Sequence, residues 1–186
     1  MSDIDRAAQD DPEWVVWSSP ERISAAIDKL FTETLPGIPA DWKTRTGSAA
    51  PIGPMPVGVD RYSDELTLYW LSDAFDFFFP DEDVIYEPEN RELVDQFVCY
   101  IGEYFVRHCG GRWINEPEAR VWDEFGPTIR YDWPTTVDFP VNLLFQAAEQ
   151  GFEYVTTIWY SKSIDYAAAH GLEHEGLELR RKHGLA

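Results

Sequence analysis

Residues 91–111, RELVDQFVCYIGEYFVRHCGG, constrain this chain more than any other stretch. Leu93, Phe97, Ile101 and Phe105 recur every four residues, and Val94, Val98 and Tyr104 widen the stripe. So broad an apolar face belongs to a helix packed against a core. The spacing predicts a helix over Arg91–Cys109, capped by Asn90, with Gly110 and Gly111 free to adopt the left-handed turn that ends it.

Other segments are read against that helix. Ser19 followed by Pro20 forms an N-cap and first-turn pair, and Ile23, Ile27, Leu30 and Phe31 follow at helical spacing, with a stop near Thr34. FPVNLLFQAAEQG predicts a second helix, with Pro140 near its start and Gly151 at its end. RYSDELTLYWLSD alternates, with Leu66, Leu68 and Trp70 opposite Thr67, Tyr69 and Leu71, which is strand periodicity. AFDFFFP continues that sheet or forms a buried turn, and DEDVIYEPENRE reads as an acidic loop. RWIN, ARVWDEF and TIRYDW read as two or three short antiparallel strands. Residues 152–186 are ambiguous, with helical parts broken near Gly171 and Gly176. The expected architecture is α+β: a flexible acidic tail over 1–12, then a single domain over 13–186 with helices packed on a mainly antiparallel sheet.

The chain has 186 residues, 44% of them hydrophobic and 15% aromatic, so it has the means to bury a core. Against 15 Lys and Arg stand 34 Asp and Glu, a formal charge of −19. Such a surface repels nucleic acid and anionic lipid. It favours solubility, steering towards a basic partner, or imitation of DNA. On the long helix Cys99 and Cys109 lie roughly 15 Å apart along the axis, beyond the roughly 7 Å that a disulfide spans. Reduced thiols and an N-terminal stretch without an apolar signal core point to the cytoplasm.

Motifs for chemistry are weak. His170-Gly-Leu-Glu173-His174 matches H-x-x-E-H, a zinc-protease string, but Gly171 interrupts the helix and few residues follow to supply a third ligand. His108 beside Cys109 points about 100° away from it on a helix. Glu103 sits among aromatics and calls for Arg107 or Arg112 as partner. Asp81, Glu82 and Asp83 lack calcium-loop spacing. No catalytic residue, metal site or cofactor is expected.

A loop over about 43–61 is the candidate site. Three glycines and three prolines punctuate Gly47–Gly58, yet neither a P-loop nor a dinucleotide fingerprint is present. Ile52, Met55 and Val57 are expected as exposed apolar tips of a pre-ordered finger. Lys43, Arg45, Ser48 and Gly53 are read as partner-binding beside them.

YIGEYFVRHCGGRW, with Tyr100, Gly102, Glu103, Gly110, Gly111 and Trp113, followed by the Pro-initiated segment Phe139–Ala148, resembles small bacterial immunity proteins of polymorphic toxins. The resemblance covers about 90–150. It extends to the immunity factor class of the mycobacterial necrotizing toxin, an NAD glycohydrolase whose active site is blocked. What it implies is an antitoxin that binds and inhibits a cognate toxin protein with a basic surface, with no nucleic-acid or membrane partner. The competing readings are a small cytoplasmic hydrolase or metal-dependent enzyme, and an acidic DNA mimic.

Overall fold

The computed structural model describes residues 5–44, 50–56, 60–120, 125–133 and 136–184. Its centre is the helix Arg91–Cys109 (α5), ended by Gly110 at φ 65°. Val94, every residue from Gln96 to Gly102, Tyr104, Phe105 and Cys109 are buried. The expected stripe has become nearly a full circumference, because elements cover α5 on several sides. Pro20–Lys29 (α3), Pro140–Gln150 (α6) and Glu153–His170 (α7) pack on it, as do the strands Gly111–Asn115 (β1) and Pro127–Tyr131 (β2). Val137–Asp138 (β3) completes an antiparallel sheet in the order β1-β2-β3, with Trp113 opposite Ile129 and Arg130 opposite Val137. This is a single α+β arrangement, rich in helix.

Aromatic rings fill the space between layers. Phe75 meets Phe97 at 5.5 Å and Phe79 at 5.0 Å, while Trp159 stacks on Tyr104 at 4.5 Å and stands edge-on to Tyr100 at 5.3 Å. Gly102 is needed where it stands. A Cβ there would lie 2.0 Å from the Trp113 ring, so only glycine lets β1 lay its indole on α5. Trp113 Nε1 reaches Glu103 at 3.5 Å, and Glu103 also accepts from Arg107 Nε at 2.9 Å. Arg112 pairs instead with Asp132.

Several expectations are corrected. RYSDELTLYW and AFDFFFP form one helix, Glu65–Phe78 (α4), not strands. Asp64 starts it by accepting the Thr67 amide at 2.8 Å, and Trp70, Leu71, Ala74 and Phe75 make the buried face. Leu66 and Tyr69 are apolar yet exposed on the outer face, which created the false alternation. The acidic tail is not free over its described part. Arg6–Gln9 (α1) and Pro12–Trp17 (α2) are helical, and the Gln9 side chain both donates to and accepts from the Asn115 backbone at 2.7 and 2.9 Å. The acidic loop is two 3-10 turns around buried Ile85, and Asn90 spends its amide on Val84 and Glu87 rather than capping α5. Residues 152–184 are two helices, α7 and Glu175–Lys182 (α8). Gly171 breaks them as expected, at φ 66°, but Gly176 lies inside α8. Within ARVWDEF, residues 121–124 fall outside the described residues; Ala119 ends a 3-10 turn.

Among the described residues four cations repeat one device: each lies over an aromatic ring and pairs with a carboxylate. Arg22 lies over Trp17 at 4.7 Å and binds Asp95; Arg61 lies over Phe31 at 4.8 Å and binds Asp28. Arg107 lies over Tyr62 at 5.6 Å and binds Glu103; Lys162 lies over Tyr131 at 4.8 Å and binds Asp138. In each case the ring and the carboxylate stabilise the same charge.

Phe97 and Phe105 have no exposed surface. Truncating either to alanine is expected to cost about 3–5 kcal/mol, read as a lowered denaturant midpoint at unchanged slope. A midpoint equal to wild type for either variant contradicts the placement of α5 at the centre.

Candidate functional site

The sequence-predicted loop is partly a packed strap. Ile52 and Met55 are half-buried against the core rather than exposed tips. The Ile52 amide donates to the Trp42 carbonyl at 2.9 Å and the Gly53 amide to Ala40 at 3.1 Å. Trp70 Nε1 donates to the Gly53 carbonyl at 3.2 Å, tying the strap to α4. Gly53 takes φ 74°, a left-handed backbone that glycine adopts without strain. Apolar side chains beside the Trp42 and Trp70 rings gain more from burial than from display. Lys43 is exposed, whereas Arg45, Ser48 and Val57 lie outside the described residues. Replacing 52–56 with Ser-Gly repeats is therefore expected to lower the melting temperature measurably. An unchanged melt contradicts the strap.

A concavity lies elsewhere, between α4, the C-terminal end of α5, α7, and the turn joining α7 to α8. It encloses about 630 Å³. Each wall follows from local sequence. Asp60 accepts the Tyr62 and Ser63 amides at 2.8 Å, a turn that points Tyr62 at α5, where it stacks on Tyr100. Glu65 and Leu68 enter from the first turns of α4, and Arg107 and His108 from the end of α5. The stacked pair Tyr104 and Trp159 forms the aromatic floor, with Trp159 Nε1 anchored on the Ile101 carbonyl at 3.2 Å. Tyr160, 41% exposed, and Leu172 stand at the rim, with Glu173 and Glu175 in the turn beyond.

The reactive side chains here are committed. Ser163 Oγ lies 3.1 Å from His174 Nε2, the contact of a nucleophile and its base. The proton count reverses that reading. His174 Nδ1 accepts the Gly176 amide at 3.0 Å as the N-cap of α8, so the imidazole proton resides on Nε2 and is donated to Ser163. The Ser163 hydroxyl in turn donates to the Tyr160 carbonyl at 2.9 Å. The pair fastens α8 to α7 and leaves no free lone pair to activate the serine. His170 ends α7 and His174 starts α8, so H-x-x-E-H does not present two histidines on one helical face. Among the described residues no group of three His, Cys, Asp or Glu side chains could hold a metal ion. Asp81, Glu82 and Asp83 are exposed, and Asp81 caps its own turn. Both cysteines are buried; burial pushes the Cys109 thiol up to about 12 and Cys99 well above its ordinary range, so neither is a ready thiolate.

Electrostatically the cleft is negative. Glu65, Glu173 and Glu175 have no ion pair among the described residues, whereas its arginine, Arg107, is held by Glu103. His108 packs on Tyr104 at 4.7 Å and Tyr62 at 5.7 Å, and burial there lowers its proton affinity despite nearby Asp60. Sequence reasoning missed Tyr160, because α7 carries apolar residues on several faces and gives no clean stripe; it missed Glu175 and met Glu173 only within the H-x-x-E-H string. The combination of Trp159-Tyr160 and Tyr166 with a following acidic turn was the available signal. No protein-family model, curated protein or solved structure matches the chain.

The depressed His108 fixes a sign. The fold favours the neutral imidazole, so its contribution is fully present above the unfolded histidine value of about 6.5 and is lost as pH falls through the lower folded value. His108→Gln is expected to be less sensitive than wild type to acidification from pH 8 to pH 5, measured as the shift in denaturant midpoint. Equal sensitivity contradicts the buried neutral ring.

Proposed function

We propose that this chain is a binding protein, an immunity factor that neutralises a cognate toxin enzyme with a basic surface by covering its active site. The observation that carries this reading is the outer face of α4. Leu66 and Tyr69 are 67% and 65% exposed there, with Phe77 at 39% one turn below Asp73. Asp73 and Asp76 stand among them, and partial burial together with the like charges of Glu153 and Asp76 raises the proton affinity of Asp73. Exposed apolar side chains beside crowded carboxylates are costly in isolation. They suit a partner that brings cations to an apolar contact. The committed state of Ser163, His174 and both thiols favours this over a hydrolase. The Tyr-x-Gly-Glu and Gly-Gly-x-Trp residues, which form a packing unit of α5 and β1, are consistent with the resemblance to immunity proteins.

Among the described residues no helix is long and apolar enough to cross a membrane. Two buried reduced thiols accord with a cytoplasmic setting. The resemblance puts NAD glycohydrolases first among the toxin classes to assay.

The test is inhibition of the toxin enzyme encoded beside this gene. The chain is expected to inhibit it at one-to-one stoichiometry and to restore growth on co-expression, with association slowing as salt rises. Leu66→Ser with Tyr69→Ala should weaken inhibition at least about tenfold, roughly 1.4 kcal/mol, at an unchanged melting temperature. Lys43→Ala and Arg45→Ala test the loop in parallel. Absence of stoichiometric inhibition at low salt overturns the reading.

A further inference from the structure

We infer that the cleft between α4, α5 and the α7–α8 turn is a receptor for one arginine side chain of a protein partner. The inference rests on the reading of a basic partner given above. It comes from the device that the chain uses internally. At Trp17 with Asp95, Phe31 with Asp28, Tyr62 with Glu103 and Tyr131 with Asp138, an aromatic ring and a carboxylate together hold a cation. The cleft has the first two components without the third. Tyr160 presents its ring at the rim and Tyr104 stacks on Trp159 at the floor. Glu65, Glu173 and Glu175 line the same space without an ion pair among the described residues.

The positive and ionisable groups facing the cleft do not fill that role. Arg107 is engaged by Glu103 at 2.9 Å. His174 spends both ring nitrogens, Nδ1 on the Gly176 amide and Nε2 on Ser163, and burial lowers the proton affinity of His108. Arg181 borders an adjoining hollow that shares Leu172, Glu173 and His174 with the cleft, and among the described residues it makes no ion pair with Glu173. Tyr62, which also lines the cleft, supplies a second sign of a missing partner: its hydroxyl is buried, and among the described residues no hydrogen-bond partner reaches it.

A guanidinium fits this chemistry better than an ammonium. It is planar, stacks on aromatic faces, and offers five donors that bind carboxylates two at a time. A space of about 630 Å³ also admits the aliphatic stem and adjoining backbone. The occupant is assigned to a protein because Glu65 and Leu68, which line the cleft, lie on the same helix as exposed Leu66 and Tyr69. A partner lying on α4 reaches the cleft with one long side chain.

The test titrates the ¹⁵N-labelled full chain with N-acetyl-arginine methylamide, its neutral citrulline analogue, and choline. Arginine is expected to bind at least about fivefold more tightly than citrulline or choline, with amide shifts centred on 160 and 173–175. Tyr160→Ala and the double variant Glu173→Gln/Glu175→Gln should each weaken it at least about threefold while the melting temperature holds. Equal binding of arginine and citrulline, or shifts centred elsewhere, overturns the site. Choline binding as tightly as arginine overturns the protein assignment in favour of a small quaternary ammonium. Arginine bound in the cleft while no toxin is inhibited leaves the site standing and removes the toxin reading. A toxin inhibited equally by wild type and the cleft variants does the reverse.

Discussion

Between Val94 and Phe105, helix α5 turns almost no surface to solvent, and its neighbours are placed by the need to cover it. Helix α3 closes one side, α6 and α7 another, and β1 with β2 a third. Close approach of the sheet is possible only because Gly102 leaves room for the Trp113 ring. Four rings from three different segments, Phe31, Tyr62, and Phe152 with Trp159, converge on Tyr100. Non-directional burial supplies most of the driving force there, while the edge-to-face and stacked geometries select one arrangement among many apolar ones.

Charge imposes the second constraint. With 34 acidic residues against 15 Lys and Arg, the chain cannot neutralise itself by one-to-one pairing. It places cations where they act twice, once on a ring and once on a carboxylate. Each of these staples joins separate parts of the fold or braces α5: Arg22 ties α3 to α5 through Asp95, and Lys162 ties α7 to β3 through Asp138. What is left over is an excess of unpaired carboxylate beside exposed rings on α4 and around the cleft. The same scarcity that shapes the interior thus leaves the surface suited to a cationic partner.

Hydrogen-bond direction, more than proximity, decides what the cleft can do. Ser163 and His174 lie within reach of one another, as catalytic pairs do, but the amide of Gly176 occupies the lone pair that a base would need. A position for α8 has been secured with groups that elsewhere perform chemistry. Their commitment to structure is why we propose recognition, rather than hydrolysis, with Tyr160, Glu173, Glu175 and the α4 face as its carriers.

The sequence alone determined the elements whose signals are local. The helix Arg91–Cys109 and its glycine stop, the Pro140 helix, the Ser19-Pro20 start and the break at Gly171 all depend on residues within a few positions of each other. Tertiary structure decided the rest. Leu66 and Tyr69 look like buried strand residues until the fold leaves them outside, and Ile52 and Met55 look like loop tips until the fold packs them against the core. The cleft was not legible because it joins residues from 62 to 175 across three helices and a turn. Periodicity reports which residues share a face of one element. Which face meets the core, and which carboxylates are left without a cation, depends on distances between elements that no local spacing encodes.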